Sequence, residues 1–180
     1  AVPQMPLSDN ALLTAHSCQL DATLLNDGKT GGMLNNGMIQ FSKVTQFANS
    51  CIDKFNVKCG GSKSAARSLS GGNLQKFIMA REILQAPKLL VAAQPTWGVD
   101  VGAAAFIRQQ LIDLRNAGAA ILVISEELEE LFEISDRIAV IAEGRLSPAK
   151  KLADTNIDEI GVWMSGMWPT EGLAEVDHHV

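Results

Sequence analysis

Sulfur and imidazole are scarce in this chain, and their arrangement excludes several chemistries. The three cysteines, Cys18, Cys51 and Cys59, form no Cys-x-x-Cys pair, and an odd count fits reduced, packed thiols better than a disulfide frame or a zinc site. Of the three histidines, His16 falls in an expected helix, while His178 and His179 are neighbours beside the C-terminus, a pattern of a tail rather than a ligand set. No metal is expected. Apolar runs stay far below the roughly 20 residues that a membrane span needs, and Ala1-Val2-Pro3 carries no charged-then-apolar signal pattern. A cytosolic location, or one on the cytosolic face of a membrane, follows as the expectation. A clustered basic face is also missing. With a net charge of −5 and scattered Lys and Arg, nucleic acid is not an expected partner.

What is present is enough for a core. At 180 residues, 47% hydrophobic and 19% charged, the chain reads as one domain, or one domain with a subdomain. The pattern changes near Ser68. Upstream, Ser8 is placed to cap a helix with Asp9 in its first turn, running through Ala- and Leu-rich sequence to about Leu25. Asn26 to Gly37 has turn composition; Phe41, Val44, Ala48, Cys51, Ile52 and Phe55 then fall on one face of a second helix. Cys59 to Ser62 reads as a loop, and a third helix is expected from Asn73 to about Gln85, stopping before Pro87.

Downstream the order alternates. Leu89 to Ala93 reads as a short buried strand. Gly102 to Asn116 reads as a helix with Ala104, Ile107, Leu111 and Leu114 inward and Gly118 as its stop. Ala119 to Ile124 reads as a strand, Glu127 to Ile134 as a helix, Arg137 to Ala142 as a strand, and Glu143-Gly144 as a turn into Arg145 to Ser147. Thr155 is expected to cap a last helix, Asn156 to Met164. Such alternation implies parallel strands with crossover helices.

The chemistry-bearing string is Leu69-Ser70-Gly71-Gly72-Asn73-Leu74-Gln75-Lys76. About twenty residues later the apolar run Leu89 to Ala93 leads into Gln94-Pro95-Thr96-Trp97-Gly98-Val99-Asp100. A Ser-Gly-Gly turn that opens a helix offers bare N–H groups and a positive dipole end, and two glycines let a backbone approach a phosphate. The string, its helix with Ala80-Arg81-Glu82, Pro87, the apolar strand and Gly98-Val99-Asp100, in that order, resemble the signature motif, Walker B strand and D-loop of ATP-binding-cassette (ABC) ATPases. The resemblance covers roughly Leu7 to Ser147.

The resemblance implies an α/β fold, namely a partial P-loop NTPase core with parallel strands plus a mainly helical signature subdomain. It divides the chain into a helical subdomain over 1–86, the Walker B to switch part of the core over 87–148, and a C-terminal helix and tail over 149–180. It also exposes departures. A family site needs a Walker A loop, Gly-x-x-x-x-Gly-Lys-Ser/Thr, to wrap the β-phosphate. The nearest string, Gly28-Lys29-Thr30, has Thr23 where the first glycine belongs and no strand before it, and reads as loop. The Q-loop is likewise not found, so the expectation is a chain that starts partway through a domain, with Ala1-Val2-Pro3 similar to the stretch after that loop. An Asp-Glu-Pro Walker B ending is replaced by Ala93-Gln94-Pro95. The alanine can hold no metal-bound water, and the glutamine is neutral where a base is needed. The switch histidine position falls at Glu126, whose carboxylate would repel a γ-phosphate.

An asymmetric role follows from the resemblance. In an ABC dimer each ATP lies between the Walker motifs of one domain and the signature of the other. Ser70, Gly71, Gly72 and Asn73 are therefore expected to meet ATP in trans, with Mg held by the partner domain and none expected on the isolated chain. Asp100 is expected to cross the interface, and Trp97 either to pack there or to close the local core. The LSGGN signature and the Val101-Gly102-Ala103 continuation resemble the second cassette of tandem sugar and nucleoside importer ATPases, the Ala-Ala-Gln-Pro strand ending being similar to the nucleoside branch. The implied partners are the other nucleotide-binding domain, transmembrane permease subunits and, indirectly, a solute-binding protein. A regulatory or scaffolding module without nucleotide contact is the alternative. A DNA-repair or translation ABC ATPase would need coiled-coil arms or a basic face.

Overall fold

The computed structural model describes residues 1–15, 19–20 (backbone only) and 31–168. The expectations placed on His16, Cys18, Gly28-Lys29-Thr30, His178 and His179 lie outside the described residues. Backbone contacts divide the chain into two compact units, Ala1–Ile124 and Ser125–Val180.

The first unit begins with a strap. Met5, Leu7 and Ser8 lie along the segment that precedes the Ser-Gly-Gly turn: Leu7 N donates to Ser64 O (3.0 Å), Ser8 N to Ser62 O (2.9 Å), Ala66 N to Met5 O (3.0 Å) and Arg67 N to Pro3 O (2.8 Å). Helix α1 is Leu7–Ala15, starting two residues earlier than a Ser8 cap would place it. Ser8 sits inside the first turn, its hydroxyl 3.2 Å from Asp9 Oδ1. The expected extension of this helix to Leu25 does not form, because Gln19–Leu20 (β1) pairs antiparallel with Gly31–Gly32 (β2). The turn-like stretch that follows contains a further hairpin, Leu34–Asn35 (β3) with Met38–Ile39 (β4), closed by Asn36 and Gly37 at φ 49° and 78°.

Helix α2, Phe41–Lys54, buries Val44, Phe47, Ala48 and Cys51, and Phe55 beyond its end is buried too. The apolar face is the expected one with three changes: Phe41 is exposed, Ile52 is only half-buried, and Phe47 joins the core. Burial pushes the Cys51 thiol up to about 12, consistent with a packed, unreactive cysteine. A short 3-10 turn, Ala66–Ser68, leads to α3, Gly71–Ile83, which buries Phe77, Met79, Ala80, Arg81 and Ile83. Strand β5, Leu89–Ala93, and strand β6, Ala120–Ile124, are parallel and in register from Leu89↔Ala120 to Ala93↔Ile124, with helix α4, Val101–Asn116, as the crossover. In α4 the inward residues are Ala103, Ile107, Leu111 and Leu114, with Ala104 only half-buried, and Gly118 stops the helix at φ 101°. Strand β5 was expected to be buried, but only Leu90 and Ala92 are; Leu89 and Val91 face outward. Alternation decides this: in a strand successive side chains point to opposite faces, and one face is covered.

The polar hub of this unit is Asn10, fully buried on α1. Its Oδ1 accepts from Val2 N (2.6 Å), and its Nδ2 donates to the carbonyls of Val2, Met5 and Pro6 at 3.0 to 3.1 Å. Its own carbonyl accepts from the guanidinium of Arg81 on α3 at 2.9 Å. One side chain thus ties the strap to α1, and one backbone carbonyl ties α1 to α3.

In the second unit, helix α5 spans Leu128–Ile134. The single strand expected over Arg137 to Ala142 is split. Arg137–Ile138 (β7) pairs with a later strand, Lys150–Lys151 (β10), and Ile141–Ala142 (β8) pairs with Arg145–Leu146 (β9) across Glu143-Gly144. The chain changes partner at Val140, where the Ser147 hydroxyl accepts from Val140 N at 2.9 Å. These pairs are antiparallel, so the parallel expectation holds for β5 and β6 and is corrected here. Helix α6, Ile157–Met164, is capped by Asn156, not Thr155: Asn156 Oδ1 accepts from Glu159 N at 2.8 Å, while the Thr155 hydroxyl bonds the Glu159 carboxylate at 2.6 Å. Lys150 completes this corner, 2.5 Å from Glu159 and 4.9 Å above the Trp163 ring. Among the described residues no helix is long and apolar enough to cross a membrane.

Replacing Asn10 by Ala removes four hydrogen bonds and leaves Val2 N without its acceptor, while the carbonyls of Val2, Met5 and Pro6 keep their bonds from Met5 N, Ala66 N and Asn10 N; the change is expected to cost about 1–3 kcal/mol in urea unfolding. A loss under about 0.5 kcal/mol would show that water replaces the amide without penalty.

Candidate functional site

The Ser-Gly-Gly turn is built from its backbone outward. Ser70 is the N-cap of α3 with extended dihedrals (φ −64°, ψ 156°), and the first intrahelical bond runs from Leu74 N to Ser70 O (2.9 Å). The Ser70 side chain makes no cap bond. It is instead held by Asn73, whose Nδ2 donates to Ser70 Oγ at 2.9 Å. The orientation of that amide is fixed independently, because Lys58 N, a pure donor, lies 2.8 Å from Asn73 Oδ1. With its oxygen already accepting, the exposed Ser70 hydroxyl has its proton left to donate outward. Helix N-terminal N–H groups that no side chain caps complete a donor surface suited to an anion.

The two glycines have different reasons to be glycine. A Cβ on Gly71 would meet nothing within 4 Å. A Cβ on Gly72 would lie 3.0 Å from the carbonyl oxygen of Gly98 and 3.5 Å from Val99 Cα. The requirement at Gly72 is therefore internal: the turn rests directly on the loop that follows β5.

That loop is held as tightly as the turn. Gln94 takes a left-handed conformation (φ 50°), its N–H donates to Ile124 O at 2.7 Å, and its carbonyl accepts from Trp97 N at 3.2 Å. Gln75 of α3 reaches across to it, its Nε2 donating to the carbonyls of Gln94 (3.0 Å) and Pro95 (3.1 Å). Pro95 and Thr96 are buried. Asp100 caps α4, its Oδ1 accepting from Ala103 N at 2.9 Å, with Lys76 Nζ 4.0 Å from its other oxygen. The Ala103 N–H, and after it the Lys76 ammonium, hold the Asp100 carboxyl below the usual carboxylate range. The side chain is mostly exposed, so the ion pair itself contributes little.

Ser70, Gly71, Gly72, Asn73 and Asp100 thus gather on one side of the first unit, linked through Gly98 and Lys76. Ala93 is exposed and Gln94 half-buried at the end of β5. Neither supplies a carboxylate, so these two positions do not fit a Mg²⁺ held in cis. Glu126 is an exposed residue of the second unit, next to Ser125, whose hydroxyl bonds Glu130 at 3.0 Å. Among the described residues no group of three or more His, Cys, Asp or Glu is placed to hold a metal ion. Trp97 is 71% exposed, which removes the option that it closes the local core. Sequence reasoning missed Gln75, Lys76 and the Lys58 amide. Gln75 and Lys76 stand in the signature string itself, polar and on the helix face that meets the loop, and that position was the available signal.

No protein-family model matches the chain. It is 45% identical over 130 residues to the guanosine import ATP-binding protein NupO of Bacillus subtilis, a match covering 72% of this chain and 26% of that protein. The nucleoside import ATP-binding protein NupA of Lactococcus lactis is 44% identical over 130 residues, with the same two shares. The ribose import ATP-binding protein RbsA of a Ruegeria strain is 41% identical over 140 residues, 78% of this chain and 27% of its own. The chain spans about a quarter of the length of these curated relatives. Among solved structures, a dimeric ATP-binding cassette in a post-hydrolysis state with ADP and Pi superposes at TM-score 0.62 and 21% identity, over 84% of this chain and 58% of that one. The ATP-binding subunit of an ABC transporter superposes at TM-score 0.69 and 17% identity, over 92% and 64%. At such identities the likeness establishes the fold: an α/β P-loop NTPase core of the ABC ATPase type, present in part.

Two outcomes test this geometry. Gly72→Ala is expected to cost about 1–2 kcal/mol, because a backbone carbonyl must give way, whereas Gly71→Ala is neutral or stabilising by up to about 1 kcal/mol; equal effects in urea melts would contradict the close approach. Asp100→Asn keeps an acceptor for the cap and drops the charge. A depressed folded-state pKa contributes stability above the unfolded value of about 3.9 and loses it as pH falls through the folded value, so the variant should flatten the acid limb below roughly pH 4. An unchanged acid limb would remove Asp100 from the pH dependence.

Proposed function

Since the chain is a homologue of nucleoside and sugar import ATP-binding proteins on an ABC ATPase fold, we propose that it serves such an importer by presenting its Ser70 turn to an ATP held by a facing domain. The observation that carries this reading is the contrast between the two halves of one locked structure. The turn keeps an exposed hydroxyl oriented by Asn73 and a bare helix N-terminus, while the strand end opposite it presents Ala93 and Gln94 and no carboxylate. The turn is therefore assigned donors for a γ-phosphate, while positions 93 and 94 supply neither a base nor a metal ligand beside it.

In this reading the facing domain supplies the phosphate loop, Mg²⁺ and the base. Ser70 Oγ–H and the N–H groups of Gly72 and Asn73 donate to the γ-phosphate as its charge redistributes on transfer. Asp100, ionised and tied to the first turn of α4, crosses toward the partner's phosphate loop. Glu126 is read as a position where no proton donor meets the phosphate. The segment 1–86 would carry the signature, 87–148 the partial core, and 149–180 a terminal helix and tail. Permease subunits, with a solute-binding protein acting through them, are the remaining partners, which would place the protein peripherally on the cytoplasmic face of the membrane.

The test is a titration with Mg-ATP followed by heat and tryptophan emission. The isolated chain is expected to bind no nucleotide at submillimolar concentration. Adding the amino-terminal cassette of a tandem importer ATPase with intact Walker motifs should give hydrolysis that Ser70→Ala lowers about a hundredfold, the scale of one lost transition-state donor. One-to-one submillimolar binding by the chain alone would defeat the trans assignment.

A further inference from the structure

Charge is distributed less evenly than the scatter of Lys and Arg along the whole chain suggests. Residues 28–81 hold eight of the fifteen Lys and Arg but one of the twenty Asp and Glu, Asp53, a net +7 inside a chain of −5. Two of these cations are engaged, Arg81 with Glu82 and the Asn10 carbonyl, and Lys76 beside Asp100. Four others, Lys54, Lys58, Lys63 and Arg67, are exposed on the segment from the last residue of α2 to the 3-10 turn before Ser70. Among the described residues none of the four is in an ion pair. Exposed lysines are ordinary, but Lys58 differs from the rest in what holds it. Its N–H donates to Asn73 Oδ1 at 2.8 Å, and the same Asn73 amide donates to Ser70 Oγ at 2.9 Å. One side chain thus separates the Lys58 backbone from the Ser70 hydroxyl. The stretch is pinned from below: Phe55 and Val57 are buried, Val57 N donates to Ile52 O at 2.9 Å, and Asn56 between them turns the chain at φ 48°. A flexible four-carbon stem therefore leaves a fixed backbone point beside the turn.

We propose that Lys58 is the cation of the Ser70 site, its ammonium binding the terminal phosphate of a nucleotide brought to the turn; that a facing domain brings it rests on the trans reading above. The turn by itself offers neutral donors only, a hydroxyl and backbone N–H groups. A terminal phosphate carries more than one negative charge, and hydrogen bonds from an ionised donor are roughly twice as strong as those between neutral groups. Lys58 supplies that charge from a backbone position tied to the same asparagine that orients the hydroxyl. Arg67, exposed three residues before Ser70, adds attraction at longer range for the same polyanion. An acidic protein surface without phosphate is the competing occupant.

Two measurements on the whole chain test this. Inorganic pyrophosphate at millimolar concentration is expected to shift the amide resonances of Gly71, Gly72 and Asn73, with about tenfold lower affinity in Lys58→Gln. The control Lys54→Gln loses the same charge at the end of α2, where no bond ties it to the turn, and should change that affinity less than about twofold. With the Mg-ATP-loaded amino-terminal cassette of a tandem importer ATPase, Lys58→Gln should raise the cassette concentration for half-maximal hydrolysis about tenfold, with kcat within about threefold. Lys58→Arg should restore it, at an unchanged melting temperature, and added salt should shrink the difference. Ser70-dependent hydrolysis indifferent to Lys58→Gln would overturn the role of the lysine and leave the trans reading standing. A Lys58-dependent pyrophosphate shift at the turn, with no hydrolysis by the pair, would support the lysine and overturn the trans reading. Equal losses in Lys54→Gln and Lys58→Gln would overturn the site in favour of a diffuse field. Association with the cassette that needs Lys58 but not Mg-ATP, with no pyrophosphate shift, would overturn it in favour of an acidic protein surface.

Discussion

The contact on which the first unit's candidate site depends is the approach of one backbone to another, Gly72 to the carbonyl of Gly98. No side chain intervenes. The turn that opens α3 and the loop that leaves β5 are thereby set at a fixed separation, and two further links make the joint rigid. Gln75 spans from α3 to the carbonyls of Gln94 and Pro95, and Lys76 lies near Asp100 at the start of α4. Three successive elements, α3, β5 and α4, meet at one place. A displacement of the Ser-Gly-Gly turn therefore requires displacement of the strand end and the crossover helix as well.

Support comes from behind as well as from the front. The strap of residues 3–8 runs along 62–67, the segment that delivers the chain to Ser70, and Asn10 binds the strap while its carbonyl receives Arg81 from α3. Arg81 is nearly buried and also pairs with Glu82 at 2.6 Å. A buried guanidinium is tolerable only when its donors are met, and here meeting them fastens α3 to α1 at the end remote from the turn. The helix is thus held at its N-terminal end by loop contacts and at its C-terminal end by a charge-assisted bond.

The sequence made the outline of the first unit legible because its signals are local. Helix α2 follows a 3.6-residue apolar period, α3 follows Ser-Gly-Gly and stops before Pro87, and β5, α4 and β6 follow two apolar runs and the stop at Gly118. What escaped is what depends on partners far away in sequence. Gln19–Leu20 lies in Ala- and Leu-rich sequence that favours a helix, yet pairs with Gly31–Gly32; a pairing across that distance leaves no periodic trace. Arg137 to Ala142 is apolar throughout its middle, and nothing in it marks Val140 as the point where strand partners change. At the site, Ser70, Gly72, Asn73 and Asp100 were legible as a motif. The internal reason for Gly72, and the roles of Gln75 and Lys76, became visible only once α3 and the loop lay side by side.

The same joint is built largely without the side chains at the end of β5. Four hydrogen bonds that hold the loop at 94–97 use its backbone: Gln94 N to Ile124 O, Trp97 N to Gln94 O, and the Gln75 amide to the carbonyls of Gln94 and Pro95. None uses the side chain of residue 93 or 94. Gln94 holds a left-handed conformation that costs a non-glycine residue on the order of 1 kcal/mol, and it is these backbone bonds that over-determine it. None of these bonds needs a particular side chain at 93 or 94, so alanine and glutamine there leave the platform under Ser70 in place. The physical separation is between carbonyls that build and side chains that react. The turn's position, its oriented hydroxyl and its uncapped helix N-terminus therefore do not depend on the side chains at 93 and 94.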